Sequence, residues 1–453
     1  MLSVLAFLLV LGVLIFVHEL GHLLAAKWSG MYVHRFSIGM GPTIKWATRT
    51  IGETEYTLSW LPLGGYVRVA TGEEAGSEAL EGKAADDVVV PADRLYENKP
   101  VWRRIIFVLG GIVFNLIFAW LVYSGLALKN GRAVDPVTQI GAIDAASLPA
   151  GAEALASIPA GTAITAIAGK NVASWGDITD GMLSAPGDAV ELTFADGRTV
   201  SIPIHQDALV ERVQLMQSVT PLRIPVVGEL VPSKPAAKAG FAVGDTIVSI
   251  NGAPVTQWVE VTEVLRRSAG VPLTVAVGRT SGRTELQVTP NAEIETDAAG
   301  AKQTVGRIGM GVATAFRMEP LGFGAALVAG GQAVADGTVQ IWRTIKGMVS
   351  SKISNRELGG PILIGQLAGQ SARLGIDALL NLMALLSVNL AVFNLLPVPV
   401  LDGGQLVFLV VEGVIRRPVP LVIREWAMRA GVAAVLLLMV FAFTNDIRRL
   451  LGV

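Results

Sequence analysis

Two histidines and a glutamate stand within five residues, His18, Glu19 and His22, in the stretch 14–27 (LIFVHELGHLLAAK). On an α-helix, residues four apart share a face, so His18 and His22 can offer two imidazoles to one zinc ion. Glu19 would then lie beside the metal, placed to take a proton from its water. Catalytic zinc uses three protein ligands and leaves one position open, so a third ligand must come from elsewhere. The chain has no cysteine, and its other histidines, His34 and His205, have no spacing partner and no assigned role. Asp402, in 394–404 (NLLPVPVLDGG), is an acid in an apolar setting with no basic neighbour in sequence. It can serve as the third ligand or, more blandly, cap the segment that follows.

The setting of these groups is oily. Residues 2–17 are apolar apart from Ser3. His18 would lie about 24 Å along a helix from Leu2, inside a hydrocarbon core of about 30 Å. Ionisable groups at that depth are costly and usually functional. The 453 residues are 52% hydrophobic and 16% charged, with a mean hydropathy of +0.55. Such a chain is too apolar for a soluble domain and too charged to be membrane throughout. A formal net charge of −1 argues against nucleic acid as a partner.

Four stretches approach the roughly 20 apolar residues that a bilayer crossing needs: 2–26, 105–128, 378–396 and one centred on 430–444. The first has no basic residue before Lys27 and no small-x-small cleavage pattern, which predicts a retained span. Residues 321–349 contain Asp336, Arg343 and Lys346 and read as an amphipathic helix on a surface. Lys27, Arg35, Lys45, Arg49, Arg68, Lys83, Arg94, Lys99, Arg103 and Arg104 lie between spans one and two. Arg416, Arg417, Arg424 and Arg429 lie between spans three and four. Short loops rich in Lys and Arg stay cytoplasmic. Both termini and the large middle segment are therefore expected on the far side.

That middle segment contains a repeat at an offset of 83: Gly161 falls on Gly244, Ile164 on Ile247, Ile167 on Ile250, Gly169 on Gly252, Val172 on Val255 and Trp175 on Trp258. Residues 234–258 (KPAAKAGFAVGDTIVSINGAPVTQW) resemble a PDZ domain. The first copy is looser, with Thr162 where the second has Asp245. The expected parts are an N-terminal catalytic membrane part (1–128), two PDZ domains (129–220 and 221–315), an amphipathic connecting segment (316–372) and a C-terminal catalytic membrane part (373–453).

H-E-x-x-H in a first span, with N-x-x-P-x-P-x-x-D-G near the end of a later one, resembles the site-2 protease family of intramembrane zinc metalloproteases. Residues 36–42 (FSIGMGP), 61–69 (LPLGGYVRV) and 358–370 (LGGPILIGQLAGQ) extend the resemblance to nearly the whole chain. It implies a polytopic α-helical membrane protein with four transmembrane helices, a membrane-associated β-hairpin region and two inserted α+β PDZ domains. It also implies Zn2+ on His18, His22 and Asp402, with Glu19 as general base. Cleavage would fall within or beside the transmembrane segment of single-span substrates. A pre-trimmed anti-sigma factor and remnant signal peptides are the implied substrates, and the bacterial inner membrane the implied location, with the active site towards the cytoplasm. The PDZ pair would be periplasmic, filtering by size or contacting a peptide or C-terminus at the second copy.

Asn394 would position substrate; the alternative is interhelical glue, shared with Asn115, Asn381 and Asn389. A helical substrate must become extended before water can reach its carbonyls. Residues 54–69 have strand character and could offer it an edge, which makes Gly64, Gly65 and Tyr66 candidate substrate contacts. A metal or proton transporter would explain the buried charges but not Glu19 between two histidines or the repeat. A catalytically silent adaptor needs none of His18, Glu19, His22 or Asp402.

Overall fold

The computed structural model describes residues 2–72, 90–280, 282–296, 302–349 and 359–451; Lys83 and Leu358, used above, lie outside them. The chain divides into two units, Met1–Gly131 with Pro320–Val453, and Arg132–Glu319.

The first unit is built on helices α1 (Leu2–Trp28), α2 (Val101–Asn130), α3 (Phe323–Val349), α4 (Pro361–Leu374), α5 (Ile376–Asn394), α6 (Asp402–Ile415) and α7 (Leu421–Leu451). Four of them, α1, α2, α5 and α7 as far as Arg448, are long and apolar enough to cross a membrane. Helix α5 stops at Asn394, three residues before Pro397, as a missing amide donor and a restricted predecessor require. On α1, Ala6, Val10 and Leu14 form a ridge packed against Ala368 of α4 and Leu379, Leu382 and Met383 of α5. Continued in steps of four, that ridge reaches His18, His22 and Ala26. The packing that registers α1 in the bundle therefore also aims both imidazoles inward. In lipid the driving force between helices is close packing and polar contact, since the tails are as apolar as leucine.

Helix α3 sets Val334, Ile341 and Ile345 against Ala119, Val122 and Tyr123 of α2 and Ala384, Val388 and Val392 of α5. Trp120 Nε1 of α2 donates to the Leu327 carbonyl at 2.9 Å. Its apolar stripe thus packs on two helices of the bundle. Helix α7 leaves Leu436, Leu437 and Val440 outward-facing, yet one polar contact fixes its end. Buried Asp446 accepts from the amides of Gly360, Ile362 and Leu363 at 2.9–3.1 Å, capping α4, whose own Gly360 has no side chain to do so.

Between α1 and α2 lies a sheet of β1 (Val33–Thr43), β2 (Arg49–Ile51) and β3 (Thr54–Val69). β3 folds around β1: Glu55–Leu58 pair with one edge of residues 35–38, and Gly65–Arg68 with the other. β2 covers only Thr54–Tyr56. Among the described strands, the arm Gly65–Val69 is paired only with β1.

In the second unit, two four-stranded antiparallel sheets share one strand order. Their elements recur 83 residues apart: Lys170–Asn171 and Ala253–Pro254, Trp175–Ser184 and Trp258–Arg267, and strands beginning at Val190 and Leu273 and at Thr199 and Gly282. The cores recur at the same offset, with Ile164, Ile167, Ile178, Met182, Leu192 and Phe194 in one and Ile247, Ile250, Val261, Leu265, Val275 and Val277 in the other.

One buried charge of the second copy has no counterpart in the first. Asp245 accepts from Arg279 Nε and Nη2 at 2.6 and 2.7 Å and from the Ala242 amide at 2.9 Å. The first copy has Thr162 and Asp196 at the matching positions, so the acid and its base are replaced together. The Arg279 guanidinium, followed by the Ala242 amide, holds the Asp245 carboxyl below its ordinary range. A depressed folded-state pKa gives stability that is present above the unfolded value, about 3.9, and is lost as pH falls through the lowered one. We predict that Arg279→Leu speeds hydrogen exchange in Thr246–Ile250 of the full-length protein near pH 7. The difference from wild type should shrink as pH falls through 4; a pH-independent difference would contradict the pairing.

Candidate active site

The sequence motifs meet in the first unit. His18 Nε2 and His22 Nε2 stand 3.2 Å apart, and Asp402 Oδ2 lies 3.3 Å from the first and 3.5 Å from the second. One ligand atom from each of the three residues lies within 4.8 Å of the others, a grouping able to hold a metal ion. Asp402 opens α6, whose N-cap residue is Leu401. Its Oδ2 is buried and without a hydrogen-bond partner, despite its ion-pair distance to the imidazoles. Two ring nitrogens and a buried carboxylate oxygen face one another, and zinc takes this donor set. The three residues fit zinc.

The turn that delivers Asp402 needs its glycines. A Cβ on Gly403 would collide with the carbonyl oxygens of Leu395 and Leu396, and one on Gly404 with that of Val398. Arg104 near the start of α2 makes a bidentate pair with Glu412, two turns or more beyond Asp402 on α6, at 3.1 and 2.6 Å. Arg104 also donates to the Lys99 carbonyl at 3.1 Å, so this largely buried guanidinium is well satisfied. The pair ties α6, and hence Asp402, to the helix behind the histidines.

That helix supplies the wall of the site. His22 Nδ1 donates to the Phe107 carbonyl at 2.9 Å, which leaves the Nε2 lone pair for a metal. Gly111, one turn on, leaves room for the rings: a Cβ there would stand 2.5 Å from His18 Cε1 and from His22 Nε2. Asn115, a further turn on, is fully buried with its Nδ2 3.1 Å from His18 Nδ1.

Glu19 is buried on the neighbouring face of α1. A Cβ on Gly65 would meet Glu19 Cγ at 2.7 Å, so the outer arm of β3 passes directly against the glutamate. Asn394 Nδ2, at the end of α5, lies 3.4 Å from His18 Nε2. The candidates Asn394 and Gly65 are thus at the cluster. Gly64 packs towards Met40 instead, and Tyr66 pairs with Ser37, its hydroxyl accepting from Arg35 Nη1 at 3.4 Å. Gly111, the Phe107 carbonyl and the Arg104–Glu412 pair were not singled out from sequence. Only the Gly110–Gly111 doublet in an apolar span was a visible signal.

Comparison with known proteins gives the family. The sequence profile of peptidase family M50 matches residues 6–438. The chain belongs to that family. It is similar to the regulator of sigma-E protease RseP of Salmonella typhimurium, 33% identical over 477 residues, and to that of Escherichia coli, 31% identical over 467. In each case 98% of both chains is covered. A Vibrio cholerae protein carrying a zinc metalloprotease name is 32% identical over 472 residues, again with 98% of both chains covered. This M50 chain is a site-2 type zinc metalloprotease, with four helices fit to span a membrane among its described residues.

A methyl group at position 111 should disturb both imidazoles. We predict that Gly111→Ala weakens zinc binding about 10-fold or more, the scale of a disturbed ligand shell. Gly125→Ala, whose Cβ meets nothing within 4 Å on the same helix, should bind as wild type does. Chelator competition on the purified proteins decides it, and equal affinity in all three would contradict the wall.

Proposed function

We propose that this M50 protease holds zinc on His18, His22 and Asp402, uses Glu19 as general base, and cleaves single-span membrane proteins beside or within their transmembrane segment. The observation that carries the proposal is the convergence of two imidazole Nε2 atoms and an orphaned carboxylate oxygen, with Glu19 beside them and against a strand arm that is open on one edge among the described strands. Bound zinc supplies Lewis acidity, bringing the pKa of a water towards about 7 and polarising a carbonyl. Glu19 accepts the proton released at that water and hands it to the leaving amine nitrogen. His22 keeps its tautomer through Phe107. Asn394, 3.4 Å from His18, is within reach of a substrate carbonyl or amide in the site.

The Gly65–Val69 arm would receive the substrate as an added antiparallel strand, backbone to backbone, with Gly64, Gly65 and Tyr66 in contact with it. Exposed Trp46, Trp60 and Leu61 on this region suit a sheet dipping into a membrane interface. The Lys- and Arg-rich loops support a site facing the cytoplasm and a periplasmic Arg132–Glu319 unit, in a bacterial inner membrane. Similarity to RseP supports a role in sigma-E-type stress signalling, with a pre-trimmed anti-sigma factor and remnant signal peptides as substrates.

The recurrence of elements and cores at an offset of 83 supports reading the second unit as two PDZ domains. In the second copy a cavity of about 280 Å³ lies between the helix Trp258–Arg267 and residues 306–310. Trp258, Leu265, Ile308 and Met310 line it, which suits an apolar peptide end.

The test compares wild type with Glu19→Gln, both purified in detergent, on a single-span substrate with a shortened outer domain. Each should carry about one zinc, and cleavage should fall at least about 100-fold in the variant. Cleavage by Glu19→Gln at the wild-type rate would overturn the assignment of the base.

A further inference from the structure

Phe107, Gly111 and Asn115 succeed one another at intervals of four, so one stripe of α2 faces both histidines. The first member supplies a carbonyl to His22 Nδ1, and the second supplies space. Asn115 stands in the matching place for His18, with its amide nitrogen 3.1 Å from Nδ1. It is fully buried, its main-chain carbonyl accepts from Ser387 Oγ at 2.8 Å, and its Oδ1 has no partner.

These facts conflict in an instructive way. If Nδ2 donates to His18 Nδ1, that nitrogen carries the lone pair and Nε2 carries the proton. His18 Nε2 then could not bind a metal. The two ends of an amide fill the same volume, and which end points where follows from the hydrogen-bond network. Turning Asn115 about its last side-chain bond puts Oδ1 against His18 Nδ1–H. One rotation gives the orphaned oxygen a donor and leaves the Nε2 lone pair facing His22 and Asp402. The turn carries Nδ2 to the place Oδ1 held, so hydrogen-bond count alone does not choose between the forms; the free Nε2 lone pair that a zinc ligand needs selects the turned one.

We propose that Asn115 is a positioning residue: its side-chain oxygen accepts from His18 Nδ1–H and so holds His18 in the tautomer that binds zinc. The role is specific to one side-chain oxygen, which separates it from interhelical glue, where either end of the amide would serve. It rests on the assignment of His18 as a zinc ligand.

Three full-length proteins in detergent test it: wild type, Asn115→Leu and Asn115→Asp. Leucine keeps the approximate volume and removes the acceptor; aspartate keeps an acceptor oxygen and removes the amide donor. The readouts are zinc affinity by chelator competition and the melting temperature of the chelator-stripped protein. We expect Asn115→Leu to bind zinc about 10- to 100-fold more weakly, the range for removing an outer partner of a ligand histidine. Its stripped form should melt no lower than wild type, because an apolar side chain suits the span. Asn115→Asp should bind zinc within a few-fold of wild type.

Equal zinc affinity in wild type and Asn115→Leu would overturn the proposal, and so would a loss in Asn115→Asp as large as in Asn115→Leu. A melting temperature that falls along with affinity in both variants would overturn it too, in favour of a packing role. Wild type without zinc affinity, by contrast, would remove the ligand assignment itself.

Discussion

A carboxylate oxygen without a proton donor, held against two imidazole nitrogens inside an apolar bundle, is the arrangement on which the rest of this molecule depends. Burying such an oxygen costs several kcal/mol unless a cation or a donor meets it. The cluster is assembled from positions nearly the length of the chain apart, His18 on α1 and Asp402 on α6, so no local preference can create it. It is held by features that make sense only together. The ridge Ala6–Val10–Leu14 registers α1, Gly403 and Gly404 let the turn close under α5, and Arg104–Glu412 ties α6 to α2. Zinc on those three atoms, as proposed, would convert an unfavourable grouping into a bound reagent.

The second constraint comes from the substrate. A helix in lipid satisfies its own backbone and hides its carbonyls, so cleavage there needs another backbone to take over those hydrogen bonds. A sheet is the natural donor of such bonds, and here a sheet arm runs past Glu19, the proposed base, with only hydrogen to spare at Gly65. The bend of β3 around β1 brings that arm to the second edge of β1, with Gly65 against Glu19.

Much of this was legible in the sequence, and the limit has a physical cause. H-E-x-x-H reads directly, because helical periodicity puts His18 and His22 on one face whatever surrounds them. Asp402 stood out as an isolated acid between prolines and glycines, and four apolar runs marked the four described helices that are long and apolar enough to cross a membrane. The repeat was visible at six positions, and the elements and cores recur at the same offset of 83. Hidden were the features that depend on which helix faces which. Asn115 looked like any polar residue in a span, and nothing local distinguished it from Asn381 or Asn389. Gly111 gave no sign that two rings would fill the space over it. Arg104 and Glu412, 308 residues apart, looked like ordinary loop and helix-end charges. The two arms of Thr54–Val69 were equally hidden, because strand pattern does not say where a strand bends.

The most direct measurement is zinc K-edge X-ray absorption on the purified full-length protein. The account predicts one zinc per chain with only light-atom ligands, at about 2.0–2.2 Å, two of them imidazole. Asp402→Asn should change that first shell while His34→Ala and His205→Ala leave it intact. A shell with three or more imidazoles, or one untouched by the change at Asp402, would contradict it.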